Sequence, residues 1–377
     1  MKVLQICSFY AINDLYRKLF NELNSLEIQS DIYIPCRPKN IPMEVKVDEF
    51  YSGVYKNGNN IYEKFINIIG QYEFYKKNNN IYEDLKKRIP VNNYEMIHAH
   101  SLFENGYLAY KSKLEFGIEY IVAVRNTDVN GYFKTAKHLR KLGIEIMKNA
   151  KKIIFISPSY RKFVLDSFVE EVDKKEIIEK CQVIPNGIDK YWIENILTSR
   201  KRITKKGEVH LIQACRIDKN KNIDTSIEIV KKLRKIGVNS FINIVGDGSE
   251  KVKLINKYGG LNYVNFNSKA TKEELKTYYD SSDILIMPSK FETFGLVYPE
   301  AMSRGLPIIY TKNQGFDKYF RDGEVGYPIN YNSVEDGVKA ILSILDNYDN
   351  ISNQCIENSK LFSWNKIAKE YRKIYLD

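Results

Sequence analysis

Short apolar runs alternate with longer stretches of helical periodicity along almost the whole chain. In the first half the apolar runs have the length of strands, and they occupy residues 2–7, 30–35, 95–99, 120–124 and 153–156. Helical patterns lie between them, which predicts an α/β fold with parallel strands and helices on both faces of the sheet. Because ligands bind beyond the carboxyl ends of such strands, the residues that follow each strand are candidate functional positions.

The pattern breaks near residue 200, where a polar and basic segment at 199–207 separates two strand-and-helix series. The second series begins with a predicted strand at 209–214 and continues through further strands to residue 310. We therefore predict two Rossmann-like domains, 1–197 and 198–361, that face each other across a cleft. A single amphipathic helix at 362–377 ends the chain.

Composition narrows the function classes. The 377 residues carry a net charge of +11, spread along the chain, and 44% are hydrophobic, which excludes a disordered or fibrous protein. No apolar run approaches the roughly 20 residues of a membrane span. Five scattered cysteines without a CxxC pair predict a reduced, cytoplasmic protein without a zinc site. The positive charge suits anionic partners such as nucleotides or acidic lipid headgroups, or it reflects genome composition alone. The sequence contains no nucleic-acid-binding signature, so we expect no nucleic-acid partner.

Two carboxylates, Glu292 and Glu300, are separated by seven intervening residues and follow the predicted strand at 283–287. A carboxylate accepts hydrogen bonds from vicinal sugar hydroxyls, and the helix predicted from about Gly295 offers free N–H groups to a phosphate. Gly295 would let a ligand approach the backbone closely. Taken alone, the two glutamates could equally be ordinary surface residues.

Arg216 and Lys221 follow the first strand of the second domain, where a ligand edge is expected. A guanidinium and an ammonium group can clamp a diphosphate and stabilise the charge that grows on a leaving nucleoside diphosphate. As an isolated pair in a lysine-rich chain they could also be solvated surface residues. The glycine-rich turn at 245–248, with Gly246, does not match the dinucleotide-binding pattern GxGxxG.

From Glu292 the chain reads E-TFGLVYP-E-AMSRGLP, which resembles the signature of the GT-B glycosyltransferases of family 4, retaining enzymes that use nucleotide sugars. The segments IPNGID, CRIDKNKNID, IVGDGSE and SSDILIMPS occur in the expected order before it. The resemblance covers most of the chain and is densest in residues 183–330. It implies that the second domain binds the donor, that the first binds the acceptor, and that the helix at 362–377 packs back on the first domain.

The resemblance also implies roles for individual residues. Glu292 would hold the donor sugar and Glu300 the ribose, while Arg216 and Lys221 carry the leaving charge. With Arg125, the residues Arg216, Lys221 and Glu292 form the predicted catalytic set. The other predicted donor-binding residues are Gly246, Lys269, Thr293, Phe294, Gly295, Leu296 and Glu300. UDP is the favoured nucleotide, and no metal or other cofactor is expected, since the chain contains no Asp-x-Asp pair.

The first domain departs from the family pattern. Arg125 stands where many members have a histidine, and the glycine pair that usually follows the first strand is missing. An arginine keeps a hydrogen-bond donor and adds a permanent charge, so it could face a phosphate or an anionic acceptor group. The predicted acceptor-binding residues are His100, Asp128, Tyr10 and Asn13.

The expected function is therefore transfer of a sugar, from a UDP-sugar above other donors, to a saccharide or lipid-linked acceptor, in bacterial surface polysaccharide or glycolipid synthesis. A basic amphipathic stretch at 135–152 would suit peripheral membrane contact at the inner face of the cell membrane, or would pack on the first sheet. Two alternatives stay open: a UDP-sugar 2-epimerase of the same fold, and a catalytically silent protein that binds a nucleotide sugar.

Overall fold

The computed structural model describes residues 1–10, 14–35, 54–56, 71–200 and 208–377. The predicted acceptor residue Asn13 lies outside these ranges. The described residues form two compact units. The first unit comprises Met1–Ile156, Tyr160–Asn186 and Trp364–Asp377, and the second comprises Ser157–Ser159 and Gly187–Ser363.

The chain passes into the second unit within the IPNGID segment, ahead of the predicted boundary at 197/198. The reason is a short helix, α7 (Lys190–Glu194), whose Trp192 is buried 5.5 Å from the ring of Tyr279 in the second unit. Asp189 begins this helix as its N-terminal cap, and its carboxylate lies 2.6 Å from the ammonium group of Lys272. These contacts bind α7 to the second unit.

A parallel sheet forms the centre of the first unit. Its strands within the described residues are β1 (Lys2–Ile6), β2 (Gln29–Ile34), β3 (Val54–Lys56), β4 (Met96–Ala99), β5 (Tyr120–Val124), β6 (Lys152–Phe155) and β7 (Cys181–Val183). Its helices in the same ranges are α1 (Asp14–Ser25), α2 (Gln71–Arg88), α3 (Glu104–Phe116), α4 (Arg140–Asn149), α5 (Pro158–Phe168), α6 (Glu171–Lys180) and α14 (Trp364–Leu376). The strand order is β3-β2-β1-β4-β5-β6-β7.

Two apolar clusters cover the two faces of this sheet. One contains residues of α2 to α6, such as Phe74 and Ile146, and the other contains residues of α1 and α14, such as Phe20 and Tyr371. The C-terminal helix α14 therefore belongs to the core of the first unit, with Trp364 buried at its start. Its apolar residues recur at helical spacing, which is what allows one face to be buried.

The second unit repeats the architecture. Its strands in the described part are β8 (Glu208–Ala214), β9 (Asn239–Val245), β10 (Val264–Asn267), β11 (Ile284–Met287), β12 (Ile308–Thr311) and β13 (Gly326–Ile329). Its longer helices there are α8 (Ile223–Lys235), α9 (Lys251–Tyr258), α10 (Lys272–Asp280), α11 (Val297–Ser303), α12 (Val334–Asp346) and α13 (Tyr348–Ser359). Neighbouring strands among these pair in parallel, and the strand order is β10-β9-β8-β11-β12-β13.

Each sheet has one point at which the direction of strand addition reverses. It lies between β1 and β4 in the first unit and between β8 and β11 in the second. The chain leaves the two central strands in opposite directions there, so the loops beyond them separate and leave room for a ligand. The predicted residues Lys221 and Glu292 follow the two strands at the second of these points.

The stretch at 135–152 is less regular than predicted. A π-helical segment at Thr127–Phe133 and a short 3₁₀ turn precede α4, which begins only at Arg140. Its apolar side chains, including Leu139, Ile146 and Met147, are buried in the core of the first unit. The apolar face thus packs on the sheet, which is one of the two expected outcomes.

Candidate functional site

Two loops meet at the carboxyl edge of the second sheet, one after β8 and one after β11. The Nζ atom of Lys221 lies 2.6 Å from Oε2 of Glu292, and the side chains are 18% and 13% exposed. The other carboxylate oxygen of Glu292 accepts a bond from the N–H of Thr293 at 3.2 Å. Two predicted catalytic residues, 71 positions apart in the chain, are thereby brought into direct contact.

Asn220 joins these two loops through hydrogen bonds of its side chain and its carbonyl with backbone groups of the second loop. Its Nδ2 donates to the carbonyl of Phe291 at 2.8 Å, its Oδ1 accepts from the N–H of Phe291 at 2.9 Å, and its own carbonyl accepts from the N–H of Lys290 at 2.8 Å. A third loop adds Gln314, whose Oε1 accepts from the N–H of Glu292 at 3.1 Å. Asn220 and Gln314 therefore fix the positions of the two loops that carry Lys221 and Glu292.

Arg216 occupies the same loop as Lys221 but stands apart from the ion pair. Its side chain is 78% exposed, and its Nε lies 3.8 Å from the carboxylate of Asp218. The same carboxylate accepts from the N–H groups of Asn220 and Lys221, which turns the loop back toward the sheet. Arg216 is thus a long, exposed cation carried by a structured loop.

The glycine-rich turn after β9 packs against the loop after β8. Gly246 has φ +150°, and a Cβ there would lie 1.9 Å from the carbonyl oxygen of Cys215, so the turn requires glycine for close packing. Asp247 accepts from the N–H of Lys269 at 2.8 Å and pairs with Lys251 at 2.6 Å, which lowers its pKa. Lys269 thus meets this turn through its backbone, while its side chain is exposed.

The segment between Glu292 and α11 combines half-buried and buried residues. Gly295 has φ +82°, and a Cβ there would lie 2.4 Å from the Tyr298 ring, so packing inside the unit already requires glycine. Phe294 is buried within 6 Å of the rings of Phe316 and Phe362, which leaves its ring no open face toward a ligand. Thr293 and Leu296 are half-buried.

Glu300 lies in the first turn of α11 and is half-buried. Its charge acts on Tyr279, whose pKa is raised by burial first and by Glu300 second. The Tyr279 hydroxyl is buried without a hydrogen-bond partner among the described residues.

In the first unit, His98 and His100 end β4 side by side. Their ring centroids are 3.8 Å apart, and both residues are fully buried. Nδ1 of His98 lies 2.7 Å from the Tyr375 hydroxyl, and Nε2 of His100 lies 2.9 Å from Oε1 of Gln5. Burial and the charge of Arg125 lower the pKa of both rings, so they are neutral at pH 7.

Asp128 and Tyr10, predicted to bind the acceptor, are buried as well. The Asp128 carboxylate accepts from the N–H groups of Arg125, Leu102 and Phe103 at 2.8 to 3.2 Å, and burial raises its pKa to about 6. The Tyr10 ring stacks on Phe20 at 5.7 Å. The structure thus gives both residues positioning and packing roles, and acceptor contact by them and by His100 stays a prediction.

Models of two sequence families match the two halves of the chain. Residues 16–191 match the model described as Glycosyltransferase Family 4, and residues 195–362 match the one described as Glycosyl transferases group 1. Among curated proteins, the chain is similar to alpha-monoglucosyldiacylglycerol synthase of Acholeplasma laidlawii, with 26% identity over 75% of each chain. The chain is a GT-B glycosyltransferase of family 4.

Solved structures agree with this membership at the level of the fold. The glycosyltransferase matches sucrose-phosphate synthase of Thermosynechococcus elongatus with a TM-score of 0.74 and 17% identity, over 100% of this chain and 98% of that one. It matches HepE of Anabaena, solved in complex with UDP, with a TM-score of 0.68 and 14% identity, over 99% of each chain.

Sequence reasoning missed the residues that hold the candidate site together. Asn220 and Gln314 act through backbone groups of Phe291 and Glu292, so their contribution depends on loop geometry that no local pattern encodes.

Within the described ranges, the structure contains no cluster of three metal-ligating side chains. Nor does any helix of those ranges have the length and apolarity needed to cross a bilayer.

Proposed function

We propose that this glycosyltransferase transfers a sugar from a nucleotide sugar, with a UDP-sugar as the first candidate, to a hydroxyl of a saccharide or lipid-linked acceptor. The observation that carries the proposal is the contact between Lys221 and Glu292, which joins a cation and an acid at the reversal point of the second sheet. UDP in the similar HepE structure and a glycolipid product in the name of the Acholeplasma relative support the choice of donor and acceptor.

In this proposal, Arg216 and Lys221 stabilise the leaving nucleoside diphosphate. Two cations near a diphosphate offset the charge that develops when the glycosidic bond breaks, which is the role that a metal ion plays at other phosphate sites. Lys221 is held by Glu292, while the exposed Arg216 side chain is long enough to close over the phosphates. We therefore propose a reaction that requires no metal.

Glu292 and Glu300 would select the donor. Glu292 would accept bonds from hydroxyls of a hexose, and Glu300 from the vicinal hydroxyls of the ribose. The hydrogen bonds to Asn220 and Gln314 hold the loop that carries Glu292, so its carboxylate is oriented before the donor binds. Thr293, Leu296, Gly246 and Lys269 would complete the donor contacts through backbone atoms and partly exposed side chains.

We propose that the transfer retains the anomeric configuration. The acceptor hydroxyl would attack from the face that the diphosphate leaves, and a phosphate oxygen of the leaving group would take its proton. The acceptor would bind to the first unit, with Arg125 and His100 near it. If the acceptor is a membrane lipid, exposed lysines such as Lys134, Lys137 and Lys141 would supply the attraction to acidic headgroups.

The test begins with a panel of UDP-, GDP- and ADP-sugars in a thermal-shift assay, because a bound donor raises the melting temperature by mass action. Turnover of the stabilising donor is then followed by NMR, which reads the anomeric configuration of the product. Glu300→Gln should lower donor affinity, whereas the matched exposed variant Glu335→Gln should not. An epimerised donor without transfer, or an inverted product, would contradict the proposal.

A further inference from the structure

Arg125 follows β5 at the carboxyl edge of the first sheet, and its charge has no acidic partner in contact. Among the described residues, no carboxylate oxygen lies within 4.0 Å of its guanidinium group, and its Nε is buried without a hydrogen-bond partner. The guanidinium carbon lies 6.0 Å from the ring centroid of Tyr16. A cation that is largely withdrawn from water is costly unless it is paired, so this partly buried arginine favours a counter-charge.

The nearest acid cannot supply that charge at the guanidinium. Asp128 already accepts three backbone N–H bonds, including one from the N–H of Arg125 itself. Asp128 therefore shapes the loop that carries Arg125 and leaves the guanidinium available.

The other polar groups around Arg125 are neutral. His98 and His100 are both fully buried, and their uncharged rings stack at 3.8 Å. Tyr16 from α1 lies near the guanidinium, and the Tyr371 hydroxyl from α14 is a neutral hydrogen-bond partner of it. Burial keeps both phenols protonated by raising their pKa. Within the described part of the first unit, Arg125 is thus a cation in neutral, mainly aromatic surroundings.

A second donor without a partner lies at the same edge. Asn105, in the first turn of α3, is fully buried, and its Oδ1 accepts from the Ser8 hydroxyl at 2.6 Å. Its Nδ2 has no hydrogen-bond partner among the described residues. Ser8 follows β1 and Asn105 follows β4, so both belong to the reversal point of the first sheet, one strand away from the end of β5.

We infer that Arg125 binds an anionic oxygen group, a carboxylate or a phosphate, on the molecule that receives the sugar. This inference rests on the proposed function, because it assigns a chemical class to the acceptor of that reaction. The planar guanidinium suits both groups, since each can accept two parallel N–H bonds. Partial exposure of Ser8, Tyr16 and Arg125 leaves the position accessible from solvent.

The test uses the full chain saturated with UDP, so that the second unit is already occupied by an anion. Glucuronate, glucose 1-phosphate and glucose are then added in separate titrations. The readout is the NMR signals of the ring protons of His98 and His100, which lie beside Arg125. The chain has only four histidines, so His138→Gln and His210→Gln assign the remaining two signals.

We expect glucuronate or glucose 1-phosphate to shift the His98 and His100 signals, and glucose to shift neither. Arg125→Gln should weaken that response at least tenfold, Arg125→Lys should keep part of it, and Arg88→Gln should leave it unchanged, because Arg88 is an exposed residue paired with Asp84. A response to one probe alone identifies the carboxylate or the phosphate as the group recognised.

Two failures are distinguishable in this experiment. If UDP binds and neither anionic probe moves the two histidine signals, or if Arg125→Gln responds like the wild type, the inference about Arg125 is refuted while the proposed function stands. If UDP itself does not bind, the choice of UDP in the proposed function is refuted, and the same titrations on the unliganded chain decide the inference about Arg125.

Discussion

Removing one member of the Lys221–Glu292 pair should destabilise the second unit more than removing both. Lys221→Met leaves the Glu292 carboxylate mostly buried without its cation, and Glu292→Gln leaves the Lys221 ammonium without its acid. The double variant leaves no uncompensated charge. Because the pair also fixes the orientation of both side chains, its strength measures how well the site is organised before a ligand binds.

The geometry sets the size of the effect. At 2.6 Å and an effective dielectric constant of about 20, the Coulomb attraction is about 6 kcal/mol. Desolvation of two charges that are more than four-fifths buried offsets most of it. We therefore expect each single variant to lose about 2 to 3 kcal/mol of unfolding free energy, the double variant about 1 to 2 kcal/mol, and a coupling energy of about 3 kcal/mol between the two residues.

The assay is a double-mutant cycle by urea denaturation. Of the two tryptophans, Trp192 lies in the second unit and Trp364 in the first, so a Trp364→Phe background makes fluorescence report the second unit alone. Lys232→Met and Glu335→Gln serve as the matched control cycle, because that pair is largely exposed. A coupling energy for Lys221 and Glu292 no larger than that of the exposed pair would refute the reasoning.

Three further predictions test other parts of the structure. Asn220→Ala removes both side-chain bonds to the loop of Glu292 and should lower kcat/KM about tenfold; steady-state kinetics would contradict the positioning role if neither kcat nor KM changed. Gly246→Ala should cost about 3 kcal/mol or more in urea denaturation because its Cβ meets a carbonyl oxygen, whereas Gly237→Ala, also at positive φ but in open space, should cost about 1 kcal/mol. Since the pKa of His100 is lowered in the folded state, the unfolded chain binds the extra proton, and stability should fall as pH drops through about 6.5. Urea denaturation between pH 7 and pH 5 should show this loss, and His100→Asn should show a flatter dependence.

The fold was largely predictable because the central strands of both sheets, such as β4, β5, β11 and β12, are parallel and fully buried. The run at 120–124 coincides with β5, since five consecutive apolar residues leave no other element of that length. The edge strand β13 was not predicted because Gly326 and Pro328 interrupt the apolar pattern of a strand, although an edge position tolerates a proline. The helices α12 and α13 were also not predicted.

The candidate site was predictable only where residue type and spacing carry the chemistry. Glu292, Lys221 and Arg216 follow strands, and a motif marks them. Asn220 acts through hydrogen bonds to a loop 71 positions away, and such a contact exists only after folding. In the first unit, the polar residues after the strands were found, but the sequence did not reveal that Asp128 is buried and engaged by backbone donors.

We propose above all that the carboxyl edge of the second sheet binds the diphosphate of a nucleotide sugar. Isothermal titration of UDP and of uridine to the wild type and to Arg216→Ala tests it most directly, because the Arg216 side chain is 78% exposed and its removal should leave the fold intact. We predict that the variant binds UDP about 10- to 100-fold more weakly, as expected for loss of a charge-assisted hydrogen bond, while its affinity for uridine is unchanged. Equal UDP affinities in the two proteins would contradict the account.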